Sequence, residues 1–183
     1  MAEEYKKLSR FLCVVLRHDP SAAGVYVNEH GWAEVDELIE KVAATGREIS
    51  REKLTALVET DSKTRYSFSA DGKMIRCNHG HTIPVDLELP AIQPPEFLLH
   101  GTGDVNVPSI DQQGLKHVKR MYVHLTDDEQ TAVDVGSRHG KPVLYRVHAG
   151  AMARDGYVFY RSASGVWLTD RVPAEYLEKM SGG

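Results

Sequence analysis

Leu8, Phe11, Leu12, Val15 and Leu16 recur at steps of three and four between residues 5 and 18, one apolar stripe along a helix. Cys13 stands off that stripe as a small helix residue. Val25 to Val27 reads as a short extended piece, and Gly31 makes a turn before Trp32. Helical spacing returns in Val35, Leu38, Ile39 and Val42. It returns again in Leu54, Leu57 and Val58 behind Ser50, a residue type suited to an N-cap. From there the period falls to two. RYSFS (65–69) and MIRCN (74–78) alternate, and Asp71-Gly72 between them is a hairpin signal.

Three helices followed by a hairpin is the element order of a winged-helix domain. Pro84, Pro90, Pro94 and Pro95 then interrupt the chain. Proline at that density resists helix and sheet alike, so the pattern predicts a linker over 84–95 between lobes of residues 1–83 and 96–183. In the second lobe FLLHGT (97–102) reads as a buried strand running into a glycine turn. Val107 to Gln113 is a short helix closed by Gly114, and MYVHLT (121–126) a second strand. Asp127 to Val135 follows as a helix with acidic residues in its first turn. PVLYRVHA (142–149), YVFY (157–160) and VWLT (166–169) are further strands, and a short helix starts at Pro173. Short strands with few helices suggest a split sheet. The predicted class is α+β, in two lobes.

Composition narrows the setting. A chain of 183 residues with 42% hydrophobic and 26% charged positions is ordinary for a globular protein. No apolar run reaches the roughly 18 residues that span a bilayer. MAEEYKKLSR has no signal-peptide core, and two cysteines, Cys13 and Cys77, suit a reducing compartment. A cytoplasmic protein with no membrane partner is expected, and nothing demands more than a monomer. The net charge of −4 leaves neither half strongly basic. An extended footprint on nucleic acid is therefore not expected, and any RNA is gripped at one or two phosphates.

Candidate chemistry begins at LRHDP, where the first helix delivers Arg17 and His18 side by side and Pro20 stops it. A guanidinium clamps a phosphate; an imidazole moves a proton. The helix dipole alone also favours such residues at a C-terminus. Arg65 and Arg120, each beside a strand, are individually less specific, as is His100-Gly101-Thr102 at a strand end. The P-loop, GxGxxG, GxSxG and HExxH motifs do not occur. CNHGH places Cys77, His79 and His81 at alternate positions, on one face if the strand continues, a spacing that suits zinc. No second cluster completes the ligand set, so no metal is expected.

Taken together, the blocks LSRFLCVVLRHDP, the Gly-Trp of HGWAEVDELI, TRYSFS, IRCNHGHTIPVDL, LLHGT, RMYVHLT, VGSRHGKPVLY and GVWLTDRVPAEYL resemble a known family over nearly the whole chain. It is the RNA 2′-phosphotransferases, which remove an internal 2′-phosphate from spliced tRNA with NAD. The family commonly shows Gln-Gly-His-Ser where this chain has His79-Gly80-His81-Thr82, and Gln-His-Val-His where it has Met121-Tyr122-Val123-His124.

The resemblance implies an N-terminal winged-helix RNA lobe and a C-terminal lobe of the ADP-ribosyltransferase type. It implies a catalytic quartet of Arg17, His18, Arg65 and Arg120. NAD is the implied co-substrate, held by His100, Gly101 and Thr102, with Ser109, Ile110, Leu125 and Arg138 as further contacts. The implied reaction has two steps. The RNA 2′-phosphate displaces nicotinamide from NAD, and the ribose 2″-hydroxyl then attacks that phosphorus. The products are 2′-hydroxyl RNA and ADP-ribose 1″,2″-cyclic phosphate. Two other functions share part of the pattern. One is an ADP-ribosyltransferase that caps terminal phosphates of nucleic acid. The other is a non-enzymatic winged-helix nucleic-acid-binding protein, against which the near-neutral charge counts.

Overall fold

The computed structural model describes residues 2–180. The chain divides into two compact units, Met1–Glu88 and Leu89–Gly183. In the first, α1 (Ala2–Arg17) carries Glu3 and Glu4 in its first turn and Arg17 in its last, both favoured by the helix dipole. Its stripe buries Leu8, Leu12, Val15 and Leu16. The helix ends because Pro20 cannot extend the ladder. The His18 and Asp19 amides both donate to the Val14 carbonyl, and a 3-10 turn (20–22) begins under an Asp19 cap.

β1 (Trp32–Glu34) leads straight into α2 (Val35–Ala44), which Glu34 caps through the Glu37 amide. α3 (Arg51–Glu59) opens on Ser50, whose hydroxyl accepts from the Lys53 amide as the sequence suggested. β2 (Tyr66–Phe68) and β3 (Met74–Cys77) form the expected hairpin, with Gly72 at φ +69° in its loop. The antiparallel sheet runs β1-β3-β2. Its third strand was not anticipated, since three residues abutting a helix are too few to reveal a period of two. Leu38, Val42, Leu54, Leu57, Tyr66 and Ile75 close the core over the α1 stripe.

The second unit opens with β4 (Leu98–Gly103) and α4 (Val107–Gln113), which Gly114 ends at φ +72°. β5 (Leu115–Lys116), β6 (Val123–Leu125) and α5 (Glu129–Gly136) follow, the last capped by Asp128. Then come β7 (Pro142–Val147), α6 (Ala149–Arg154), β8 (Phe159–Arg161), β9 (Trp167–Thr169), β10 (Arg171–Val172) and β11 (Leu177–Lys179). Two three-stranded antiparallel sheets, β11-β7-β4 and β6-β9-β8, join where Leu99 and Thr126 exchange backbone hydrogen bonds of 2.7 and 3.0 Å. A two-stranded β10-β5 sheet stands beside them in the topology. Leu98, Tyr145, Val147, Met152, Phe159 and Trp167 make the core.

The architecture is mixed α/β with small antiparallel sheets. Two further segments differ from expectation. The strand predicted over 142–149 stops at Val147, because Ala149 and Met152 bury themselves on the helical turns of α6 instead. The helix expected at Pro173 is a single 3-10 turn, and β11 follows it to pair with β7. Of the proline-rich stretch 84–95, Val85 and Leu87 are buried in the first unit, and the Ile92 amide donates to the Phe159 carbonyl in the second. Among the described residues no helix is long and apolar enough to cross a membrane.

Candidate functional site

Arg17 lies one helical turn after Cys13, so the two side chains share a face of α1. Its carbonyl accepts from the Thr82 and Ile83 amides at 2.9 and 3.2 Å, which ties the segment after β3 to the helix end. Burial works against its charge, but the facing sulfurs of Cys77 and Cys13 outweigh that and hold the guanidinium more firmly protonated. Arg17 Nε and Nη2 are buried and have no hydrogen-bond partner. Buried donors are normally satisfied, so these two are set to receive an acceptor.

His18 is exposed beside it, with Nδ1 3.0 Å from Thr82 Oγ1. The Thr82 hydroxyl also lies 3.4 Å from the Arg17 carbonyl. Thr82 Oγ1 thus tethers the ring through Nδ1 and leaves Nε2 as the other nitrogen. His81 is 2% exposed, and its Nε2 also has no partner. Burial first, then the charges of Arg17, His18 and Arg76, push its pKa down to about 4.

Arg65 is held by Asp61 at both ends. Its amide donates to Asp61 Oδ2 at 2.6 Å and its guanidinium Nη1 donates to Oδ1. The Asp61 side chain is only 6% exposed, so this ion pair escapes most solvent screening. Asn78 braces the same strand start, donating from its amide to the Arg65 carbonyl and from Nδ2 to the Thr64 carbonyl. Arg17 and Arg65 both act on Cys13 through charge. With the Cys77 hydrogen bond as the largest contribution, both guanidinium charges help draw the Cys13 pKa down to about 6. Burial drives Cys77 the other way.

In the second unit Arg120 is exposed and donates from Nη1 to His124 Nδ1 at 3.0 Å. The His124 carbonyl accepts from His100 Nδ1 at 3.1 Å. Burial lowers the His100 pKa, so the ring is neutral with Nε2 as an acceptor. Gly101 makes its close approach within the protein: an added Cβ would stand 1.7 Å from the Ala132 carbonyl of α5. Thr102 is buried and accepts from Asn106 Nδ2 at 3.1 Å. Ser109 is exposed on α4, and Arg138 is exposed on the 3-10 turn after α5. Ile110 and Leu125 point into the core, so a ligand can meet them only through backbone.

The three residues of CNHGH do not share a strand face. β3 ends at Cys77, Gly80 turns the chain at φ +85°, and His81 is buried near Arg17. Among the described residues no group of three or more His, Cys, Asp or Glu is placed to hold a metal ion.

Residues 3–171 match the model of the RNA 2'-phosphotransferase, Tpt1 / KptA family. The chain belongs to this family. It is 48% identical over 174 residues to a probable RNA 2'-phosphotransferase of Nostoc punctiforme, covering 95% of this chain and 96% of that one. A probable RNA 2'-phosphotransferase of Flavobacterium johnsoniae is 46% identical over 173 residues, 94% of this chain and 95% of its own. One from Streptomyces coelicolor is 44% identical over 175 residues, 96% and 95% of the two chains.

Within this family member, sequence reasoning passed over Asp61, His81, Thr82 and His124 as partners of the expected site residues. Asp61 and His124 left a signal, each four residues from its arginine. His81 and Thr82 come to the helix end only through tertiary contacts.

Proposed function

We propose that the protein removes an internal 2′-phosphate from RNA, as at a tRNA splice junction, with NAD as co-substrate. The observation that carries this reading is Arg17, whose two unpartnered guanidinium donors lie beside an exposed histidine in a member of this family. In this reading the first unit is a winged-helix RNA lobe and the second a lobe of the ADP-ribosyltransferase type. The protein acts as a cytoplasmic monomer.

The residues present fit NAD. Arg120 and Arg138 match a pyrophosphate, and the Thr102 hydroxyl and the neutral His100 ring match ribose hydroxyls. NAD supplies an anomeric carbon with nicotinamide as leaving group, and an RNA phosphate attached there is the intermediate.

The rest falls to side chains. A phosphate is already anionic, so attack needs position rather than a base. Arg17 and Arg65 hold its oxygens. The second step is a phosphoryl transfer whose charge gathers on equatorial oxygens, and the same guanidiniums stabilise it. It also needs a proton moved between a sugar hydroxyl and the leaving 2′-oxygen. Arginine stays protonated, so His18 takes that role through Nε2.

Incubation with NAD and a 2′-phosphorylated oligonucleotide tests the reading. Nicotinamide, ADP-ribose 1″,2″-cyclic phosphate and 2′-hydroxyl RNA are expected together. His18→Ala and Arg65→Ala are expected to accumulate ADP-ribosylated RNA. A wild-type reaction that stops at that adduct would instead indicate a phosphate-capping transferase. No NAD consumption would indicate a binding protein.

A further inference from the structure

Beneath Arg17 lies a cluster that this phosphate chemistry does not use. Cys77 is the cross-strand partner of Tyr66, so both side chains lie on the sheet face that packs on α1. Tyr66 Oη is 3.0 Å from Cys13 Sγ and donates to the Ser9 carbonyl at 2.7 Å. Cys13 and Cys77 thus meet the same tyrosine within one packed cluster, and each acts on the other's ionisation and on the charge of Arg17. Both cysteines are free. Cys13 is partly open to solvent while Cys77 is fully buried, so one sulfur is reachable and the other waits behind it.

We propose that Cys13 and Cys77 are a reversible disulfide site through which a peroxide switches off Arg17. The proposal rests on reading Arg17 as a phosphate-gripping residue. Cys13 is drawn towards its thiolate, with a pKa of about 6, by the Cys77 hydrogen bond and by the charges of Arg17 and Arg65. The thiolate is the reactive form. It attacks one oxygen of hydrogen peroxide, the O–O bond breaks, and the other oxygen leaves as water after taking a proton. Cys13 is then a sulfenic acid. Cys77 attacks that sulfur, the S–O bond breaks, and a second water leaves. Two thiols and one peroxide give one disulfide and two waters, with two electrons passing from sulfur to oxygen.

The consequence for Arg17 follows from charge and length. A disulfide has no negative charge to face the guanidinium. Its sulfurs close to about 2.05 Å, which ties α1 to β3 beside Arg17.

The experiment treats the reduced full chain with hydrogen peroxide, quenches with catalase, and reads intact mass, peptide mass and phosphate transfer. The expected result is a loss of two hydrogens, a cross-linked pair of peptides bearing Cys13 and Cys77, and activity lower by about a hundredfold. Dithiothreitol restores both. Cys77→Ser is expected to leave a dimedone-reactive sulfenic acid on Cys13 and no cross-link. Two cysteines still open to alkylation after treatment and denaturation overturn the proposal. So does a cross-linked protein that keeps its full rate. The mass readout does not depend on activity. A reduced protein without transferase activity sinks the functional reading alone, and an active enzyme that never cross-links sinks this one alone.

Discussion

In the first unit the charged groups are held by other side chains: Arg65 by the carboxylate of Asp61, Arg17 by the sulfurs of Cys13 and Cys77. In the second unit His100 is oriented by a backbone carbonyl, and β4 approaches α5 and the 3-10 turn after it so closely that Gly101 and Gly103 have no room for a Cβ. Arg120, exposed, donates to the ring of His124. The first unit therefore presets charge and the second presets backbone shape. A site built from buried charge is vulnerable to protons and oxidants. One built from close-packed backbone is vulnerable to added volume.

The hardest test of that contrast is His18→Ala. Because His18 is exposed, its loss is expected to slow the completed reaction by about 10²–10⁴-fold without moving either unit's unfolding midpoint. The two tryptophans serve as reporters, Trp32 in the first unit and Trp167 in the second. A drop in stability without a drop in rate would make His18 a structural residue. Gly101→Ala is the opposite case. Its Cβ meets the Ala132 carbonyl at 1.7 Å, and the second unit should lose about 3 kcal/mol or more in urea unfolding followed at Trp167. An unchanged Trp167 transition would show that α5 yields freely.

Acid should distinguish the first unit through His81. Its pKa is about 4 folded against 6.5 for the free side chain. Between those values the unfolded chain binds the additional proton, so stability is full above 6.5 and is lost as pH falls towards 4. The loss is on the order of 3 kcal/mol. His81→Gln should flatten that slope in the Trp32 transition, and an equal acid sensitivity in the variant would assign it elsewhere. Helix caps give the smallest effects. Ser50→Ala and Asp128→Ala should each cost about 1 kcal/mol, the first seen at Trp32 and the second at Trp167. Equal shifts at both reporters would deny the units separate stabilities.

The legible parts of the fold were those with local causes. The α1 stripe, the Ser50 cap, the Asp71-Gly72 hairpin and the Gly114 helix end all act within a few residues. β1, β5, β10 and β11 are two or three residues long, and each exists because a distant strand offers its hydrogen bonds. Among the candidate site residues, Arg17 and His18 could be named from LRHDP, but their surroundings could not. The close approach of α5 to Gly101 likewise became visible only in three dimensions.

By itself the sequence determined which segments are helical, where apolar faces lie and, through its long ordered blocks, which family the chain belongs to. Those are properties of period, capping and residue order. Only the tertiary structure decided that the charges of two guanidiniums act on one thiol and that Arg17 keeps two donors without partners. It also placed a buried neutral histidine beside them. Burial and through-space charge set these features, and both depend on residues that packing, not chain order, brings together.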